Sequence, residues 1–149
     1  MADNYEINKG TLALIPLNET ITQVVEIDDN FFVESPVEKI IDTSCRTFGS
    51  TYVGRNEGTK AMIGVNYKAP IIISESKNII FFPTSSPRRG YCCWISLNNL
   101  ENYEKDNRDT IINFINNRQV KLNISSFVIE NQVYKATMLE SKLRKLNLD

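Results

Sequence analysis

The sequence contains no histidine. That absence removes catalytic triads and general bases built on imidazole, and with them the commonest metal ligand. Cysteine is nearly as scarce. Cys45, Cys92 and Cys93 are an odd set with two adjacent members, which is not a disulfide framework and lacks the paired C-x-x-C spacing of a zinc site. No stretch reaches the ~18 consecutive apolar residues of a membrane span. Met1 to Gly10 carries Asp3 and Glu6 and no apolar run, so it does not read as a signal peptide. These absences predict a cytoplasmic protein of a reducing compartment, with no metal, no cofactor and no membrane partner.

What is present is ordinary in bulk. A chain of 149 residues, 42% hydrophobic and 23% charged, has room for one domain, 1–149, with a real core. Asparagine (17), isoleucine (18) and lysine (10) are abundant while alanine is rare (5), a bias that translation from an A/T-rich genome explains and that makes arginine the more informative cation. The formal net charge is −1, which on its own argues against a nucleic-acid partner. Charge is not evenly spread, however. Residues 1–42 hold two bases against nine acids, a net of −7, and residues 91–149 hold eight against seven. Residues 43–90 hold seven bases (Arg46, Arg55, Lys60, Lys68, Lys77, Arg88, Arg89) against Glu57 and Glu75, a net of +5. Near-neutrality hides an acidic first third and a basic middle.

The patterning predicts an α+β fold, mostly antiparallel β hairpins with helices near 36–48 and 131–147. Glu6-Ile7 and Thr11 to Ile15 flank Asn8-Lys9-Gly10, and Thr22 to Ile27 and Phe31 to Val33 flank Asp28-Asp29-Asn30, two hairpin patterns. Ser35-Pro36-Val37-Glu38 reads as a capping box opening a helix whose apolar stripe is Val37, Ile40, Ile41, Cys45 and Phe48, with Gly49 at its end. Lys60 to Val65, Ile71 to Ile73, Asn78 to Phe82 and Tyr91 to Leu97 read as strands, and 98–109 as a loop or one helical turn. Ile111 to Ile115 and Val120 to Ile124 form a third hairpin around Asn116-Asn117. Val133, Ala136, Leu139, Leu143 and Leu146 give the last helix its apolar stripe. With the two helices far apart in sequence, no helix-turn-helix is expected.

Enzymatic motifs fail one by one. Gly49-Ser-Thr-Tyr-Val-Gly54-Arg55-Asn56 has the glycine spacing of a phosphate-binding loop, but arginine and asparagine replace its lysine and Ser/Thr, and the segment follows a helix where a strand is required. A cysteine phosphatase needs arginine six positions after its nucleophile, and that count lands on Thr51, Asn98 and Asn99. Glu57 and Glu75 have no carboxylate partner for acid–base work. The chain does not read as an enzyme, and its cysteines read as buried and inert.

The basic middle is more informative. Its cations sit among Gly49, Ser50, Gly54, Gly58, Thr59, Pro70, Thr84, Ser85 and Ser86, residues whose slight bulk lets a backbone approach phosphates. Arginine is suited to a narrow A/T-rich minor groove, where the potential is most negative.

The run Asp42-x-Ser44-Cys45-Arg46-x-Phe48-Gly49-Ser50-x-Tyr52-x-Gly54-Arg55-x-x-Gly58-Thr59 resembles the signature of the competence transcription factors, the ComK family. The likeness begins at Tyr5-Glu6 and continues through Lys68-x-Pro70-Ile71, Phe82-Pro83-Thr84, Cys92-x-Trp94-Ile95-Ser96 and Glu130-Asn131-Gln132-Val133-Tyr134. It implies a DNA-binding activator of genes for DNA uptake, reading paired A/T-rich boxes largely through the minor groove and binding as an oligomer. Double-stranded DNA, further copies of the chain, a proteolytic adaptor and RNA polymerase are the implied partners. The matching positions are Arg46, Arg55, Lys68 and Arg89, with Ser50 and Tyr52 in support; charge and loop context add Lys60 and Arg88. Two departures stand out. Cys93 occupies a position where the family pattern has glycine. Family members also continue past the position of Asp149 into a tail linked to adaptor-mediated proteolysis, so a short member is expected. The alternative is a short paralogue that binds a full-length member through Leu139, Leu143 and Leu146 with little DNA affinity of its own.

Overall fold

A computed structural model describes residues 1–87 and 92–148. Its backbone is a six-stranded antiparallel sheet covered on both faces. The strands are β1 (Thr11–Pro16), β2 (Thr22–Glu26), β3 (Asn30–Val33), β4 (Ile71–Ser74), β5 (Ile79–Pro83) and β6 (Trp94–Ser96), in the spatial order β3-β2-β1-β6-β5-β4. A second sheet holds β7 (Leu100–Asp106), β8 (Asp109–Phe114) and β9 (Gln119–Leu122) in sequence order. Helices α1 (Val37–Thr47) and α2 (Tyr52–Ile63) follow β3, and α3 (Ser126–Leu148) closes the chain. The α+β expectation holds. Among the described residues no helix is long and apolar enough to cross a membrane.

Strand alternation sorts the apolar side chains onto two faces. Ile71, Ile73, Ile79, Phe81 and Trp94 point to the face that α1 covers with Val37, Ile40, Ile41 and Cys45. Ile72, Ile80, Phe82 and Ile95 point the other way, toward Ile129, Ala136, Leu139 and Leu143 of α3 and Ile112, Phe114, Val120 and Leu122 of the small sheet. Phe81 and Phe82 are both fully buried, one in each core, so β5 reads as a continuous apolar run. Helix α2 packs on β4 and touches both α1 and α3. Since those helices lie on opposite faces, α2 runs along the β4 border of the sheet. Thr59 anchors it there, its hydroxyl donating to the Pro70 carbonyl at 2.6 Å.

Several elements differ from the sequence reading. Glu6-Ile7 is not a strand: β1 pairs with β2 and β6 instead. The N-terminal segment is strapped by the Ile7 N–H, which donates to Ser44 Oγ at 2.9 Å, and by a bridge between Ala2 and Val33. Helix α1 begins one residue later than read, with Pro36 at the cap and no side-chain capping bond; Ser35 is buried beside it. Residues 52–63, read as loop and strand, form α2. Residues 98–109 contain β7, whose solvent face carries charge and amide groups in place of an apolar alternation. Helix α3 starts at Ser126 rather than at residue 131. Of the predicted strand Tyr91 to Leu97, only Trp94–Ser96 forms β6: Cys92, Cys93 and Leu97 lie outside the strand, and Tyr91 lies outside the described residues.

Candidate nucleic-acid interface

Helix α2 frames the basic middle of the chain. It has little amphipathicity and two internal glycines, so its ends carry the burden of defining it. Thr51 caps the N-terminus, Oγ1 accepting the Gly54 N–H at 2.9 Å. Asp42, reaching across from α1, accepts the Tyr52 N–H at 2.9 Å through Oδ1. Gly64 closes the C-terminus in a left-handed conformation, φ 74°. Only Phe48–Thr51 separate the two helices, with Gly49 at φ 87° making the turn. Two consecutive helices joined by a short glycine-containing turn have helix-turn-helix connectivity, against the sequence expectation, because α2 carries no apolar stripe that periodicity could reveal.

The candidate cations fall into unlike environments. Arg46 is exposed on α1 and its Nε donates to Asp42 Oδ2 at 2.8 Å. The hydrogen bond from Arg46, then that from the Tyr52 amide, hold the Asp42 carboxyl below its ordinary range. Asp42 therefore ties the cation and the start of α2 into one unit. Arg55 is different: its side chain is only 16% exposed, Nη1 meets Glu75 Oε1 at 3.4 Å, and Nε is buried with no acceptor among the described residues. It lines a hollow of about 420 Å³ with Ser50, Phe48, Gly49, Glu75 and neighbouring serines. Lys60 stands exposed on α2. Lys68 is half-buried in the loop between α2 and β4, with a backbone φ of 50°. Arg88 and Arg89 lie outside the described residues.

Tyr52 and Lys68 share a second hollow, of about 380 Å³, with Asn56, Asn66, Tyr67, Ala69, Ser86 and Pro87. Tyr52 packs edge-on against Trp94, ring centroids 6.0 Å apart. An apolar cavity of about 300 Å³ over Trp94 and Cys92 adjoins this groove through Tyr52, Asn56 and Pro87. In sequence, Pro87 leads directly into Arg88-Arg89. The structure thus gathers Tyr52 and Lys68 on one groove and Ser50 and Arg55 on another, with Arg46 and Lys60 standing apart from both.

Sequence reasoning missed Lys135. Its ammonium donates to the Tyr67 carbonyl at 3.0 Å and lies 6.0 Å from the Tyr67 ring, while the Lys68 ammonium lies 5.8 Å from the same ring. The two lysines are distant in sequence, and only the buried Gln132 betrays the link. Its Nε2 donates to the carbonyls of Lys68 at 2.8 Å and Pro83 at 2.7 Å, which docks α3 on the Lys68 loop.

Charge separation along the chain becomes a partial separation in space, since Glu38 and Asp42 of the acidic third lie on α1 and Arg118 reaches the Asp29 carbonyl. Asp28 and Asp29 turn β2 into β3, Glu34 follows β3, and Asp3 neighbours the strap on Val33, all exposed at the β3 end of the sheet. The described cations of the basic middle, Arg46, Arg55, Lys60, Lys68 and Lys77, lie on α1, on α2 and in the loops beside them, toward the opposite, β4 end. The three thiols carry no nucleophile signature: burial pushes Cys45 and Cys93 up to about 11 and raises Cys92 as well. The leucines behind the protein-interaction alternative are not a free stripe, because Leu139 and Leu143 are core residues. Among the described residues no cluster of ligating side chains suits a metal ion.

A family model described as ComK protein matches residues 2–147. The chain is 35% identical over 146 residues to the competence transcription factor of Bacillus subtilis (strain 168), a match covering 95% of this chain and 76% of that protein. No solved structure matches.

Proposed function

This chain belongs to the ComK family, and on that premise we propose that it is a single-domain DNA-binding activator of competence and DNA-uptake genes. It reads paired A/T-rich boxes mainly through the minor groove. The observation that carries the proposal is the family match along residues 2–147. The exposed acids at the β3 end and the described cations on and beside α2 support an orientation with α2 and its neighbouring loops toward the duplex. Paired boxes call for paired protein, so the chain acts as a homo-oligomer, with half-site spacing set by the arrangement of copies. RNA polymerase and a proteolytic adaptor are its further partners. No catalytic step or cofactor enters this function.

The division of labour follows from the environments described above. Lys68 and exposed Lys60 are available to phosphates, and Arg46 is available once it exchanges Asp42 for a stronger anion. Tyr52, Asn56 and Asn66 line the groove with hydrogen-bonding groups suited to sugar and base edges. Ser50 and the mostly buried Arg55 line the hollow beside the α1–α2 turn.

A mobility shift on an A/T-rich paired box against a G/C-rich duplex, at several salt concentrations, tests the proposal. Tighter binding to the paired box is expected. If about four phosphates are neutralised, log K falls with log salt at a slope near −3.6, from ~0.9 per contact. Equal affinity for both duplexes at every salt concentration would refute sequence preference.

A further inference from the structure

A half-buried ammonium loses hydration, and folded proteins usually offset that loss with a carboxylate. Lys68 and Lys135 are both half-buried, yet among the described residues neither forms an ion pair. They come from different parts of the chain, the loop before β4 and the middle of α3, and converge on exposed Tyr67. The Lys135 ammonium is anchored by the Tyr67 carbonyl at 3.0 Å, and both ammonium groups lie within 6.0 Å of the Tyr67 ring centroid. Lys68 also adopts φ 50°, a left-handed backbone that a residue with a Cβ enters at a cost. Its carbonyl is locked there by the buried Gln132. Burial first, and the Lys68 charge second, hold the Lys135 ammonium below its ordinary value. Two like charges fixed over one aromatic ring without an acid form a site whose repulsion is relieved when an anion arrives.

We propose that Lys68 and Lys135 together clamp one backbone phosphate of the bound duplex, with Tyr67 as the floor of the clamp. This rests on the DNA-binding reading and adds to it a residue of α3 and a defined subsite. Lys68 and Tyr67 line the groove that also contains Tyr52, Asn56 and Asn66. A phosphate held at the lysines therefore sets the neighbouring nucleotides along that groove. Ammonium pairs bind the phosphate of a diester backbone and free phosphate by the same chemistry, and the duplex is the source favoured by the open groove beside the clamp.

The test is duplex binding by fluorescence anisotropy across a salt series, with the wild-type chain, K68A, K135A, the double variant and K135R. Each single alanine weakens binding about tenfold, the worth of one charge-assisted contact. Because both lysines hold one phosphate, the double variant binds little worse than either single, and its salt slope is shallower by about 0.9. K135R keeps the charge and the anchor to the Tyr67 carbonyl and binds within about twofold of wild type, which separates lost contact from a disturbed loop. Unchanged affinity in both single variants, or fully additive losses, would overturn the clamp while leaving DNA binding standing. Saturable binding of inorganic phosphate alone, lost in K135A and without effect on the duplex, would assign the site to free phosphate and overturn it too. A wild-type chain that binds no duplex would overturn the DNA reading and the clamp together.

Discussion

Arg46 and Arg55 both match the family signature, and the structure predicts opposite consequences of removing them. The Arg55 side chain is 16% exposed, so Arg55→Ala uncovers a stem of about three methylenes worth ~0.8 kcal/mol each, an upper bound near 2.4 kcal/mol. Loss of the Glu75 pair adds little, because the contact is 3.4 Å and Glu75 is 56% exposed. Against this, the substitution removes a buried Nε that lacks an acceptor, recovering roughly 1 kcal/mol. The net expectation is a loss of about 1–2 kcal/mol. At roughly 2–4 °C per kcal/mol for a chain of this length, Tm falls by about 2–8 °C. Arg46→Ala forfeits an exposed i,i+4 pair worth roughly 0.3–0.5 kcal/mol and regains part of it from the helix propensity of alanine. Its Tm moves by no more than about 1 °C. Arg55→Met keeps the apolar stem, drops the orphaned Nε, and melts closer to wild type than Arg55→Ala. Thermal melts and mobility shifts on the same preparations read both properties at once. If Arg55→Ala melts with the wild type and loses DNA binding, the structural assignment of Arg55 is wrong and it is a direct contact.

Gly58 sits inside α2, and a Cβ built on it meets nothing within 4 Å. Gly58→Ala should therefore stabilise the chain by about 0.5–1 kcal/mol, raising Tm by about 1–4 °C in a thermal melt; a lowered Tm would contradict the packing described. Asp42→Ala removes the acceptor of the Tyr52 N–H together with the Arg46 pair, costing about 1–1.5 kcal/mol near pH 7. Since the folded-state pKa of Asp42 is depressed, its contribution is complete above the unfolded value of about 3.9 and disappears as pH falls through the lower folded value. Denaturant melts of wild type and Asp42→Ala should differ at pH 7 and converge in acid; a constant gap would show that the carboxylate is not the cause.

The elements legible in the sequence were those whose burial is one-sided or continuous. The β2–β3 and β8–β9 hairpins, α1, and the short apolar runs of β4 and β5 all announce themselves through side-chain period and turn residues. Helix α2 did not, for an identifiable reason. Among its residues only Thr59 is buried, so it has no apolar stripe, and Gly54 and Gly58 read as loop. Its cap residues, Thr51 and Gly64, are local, but the Asp42 acceptor is supplied by another helix. Strand β7 hid for a related reason: its exposed face carries Asn102 and Glu104, joined by Asn113 into a polar ladder that only cross-strand pairing reveals. For the candidate site, sequence charge located the right region of the chain but could not separate exposed Arg46 from mostly buried Arg55. Lys135 was invisible because its bond to Tyr67 spans 68 positions. Many residues carrying the family resemblance turn out to hold the frame itself: Asp42 secures α2, Ser44 receives the N-terminal strap, Thr59 fastens α2 to Pro70, and Gln132 docks α3.

The placement of α2 along β4 has a consequence beyond ligand contact. Strand β4 is an apolar run, Ile71 to Ile73, whose backbone pairs, among the described residues, on one side only, with β5. Such a border is a template for strand addition by another chain wherever it is uncovered. The helix that guards it has weak intrinsic propensity and depends on a few terminal bonds, so its detachment is a local opening that precedes global unfolding. Variants that loosen α2 are therefore expected to reveal themselves first as intermolecular β association and loss of soluble protein, at temperatures where the rest of the fold is still intact.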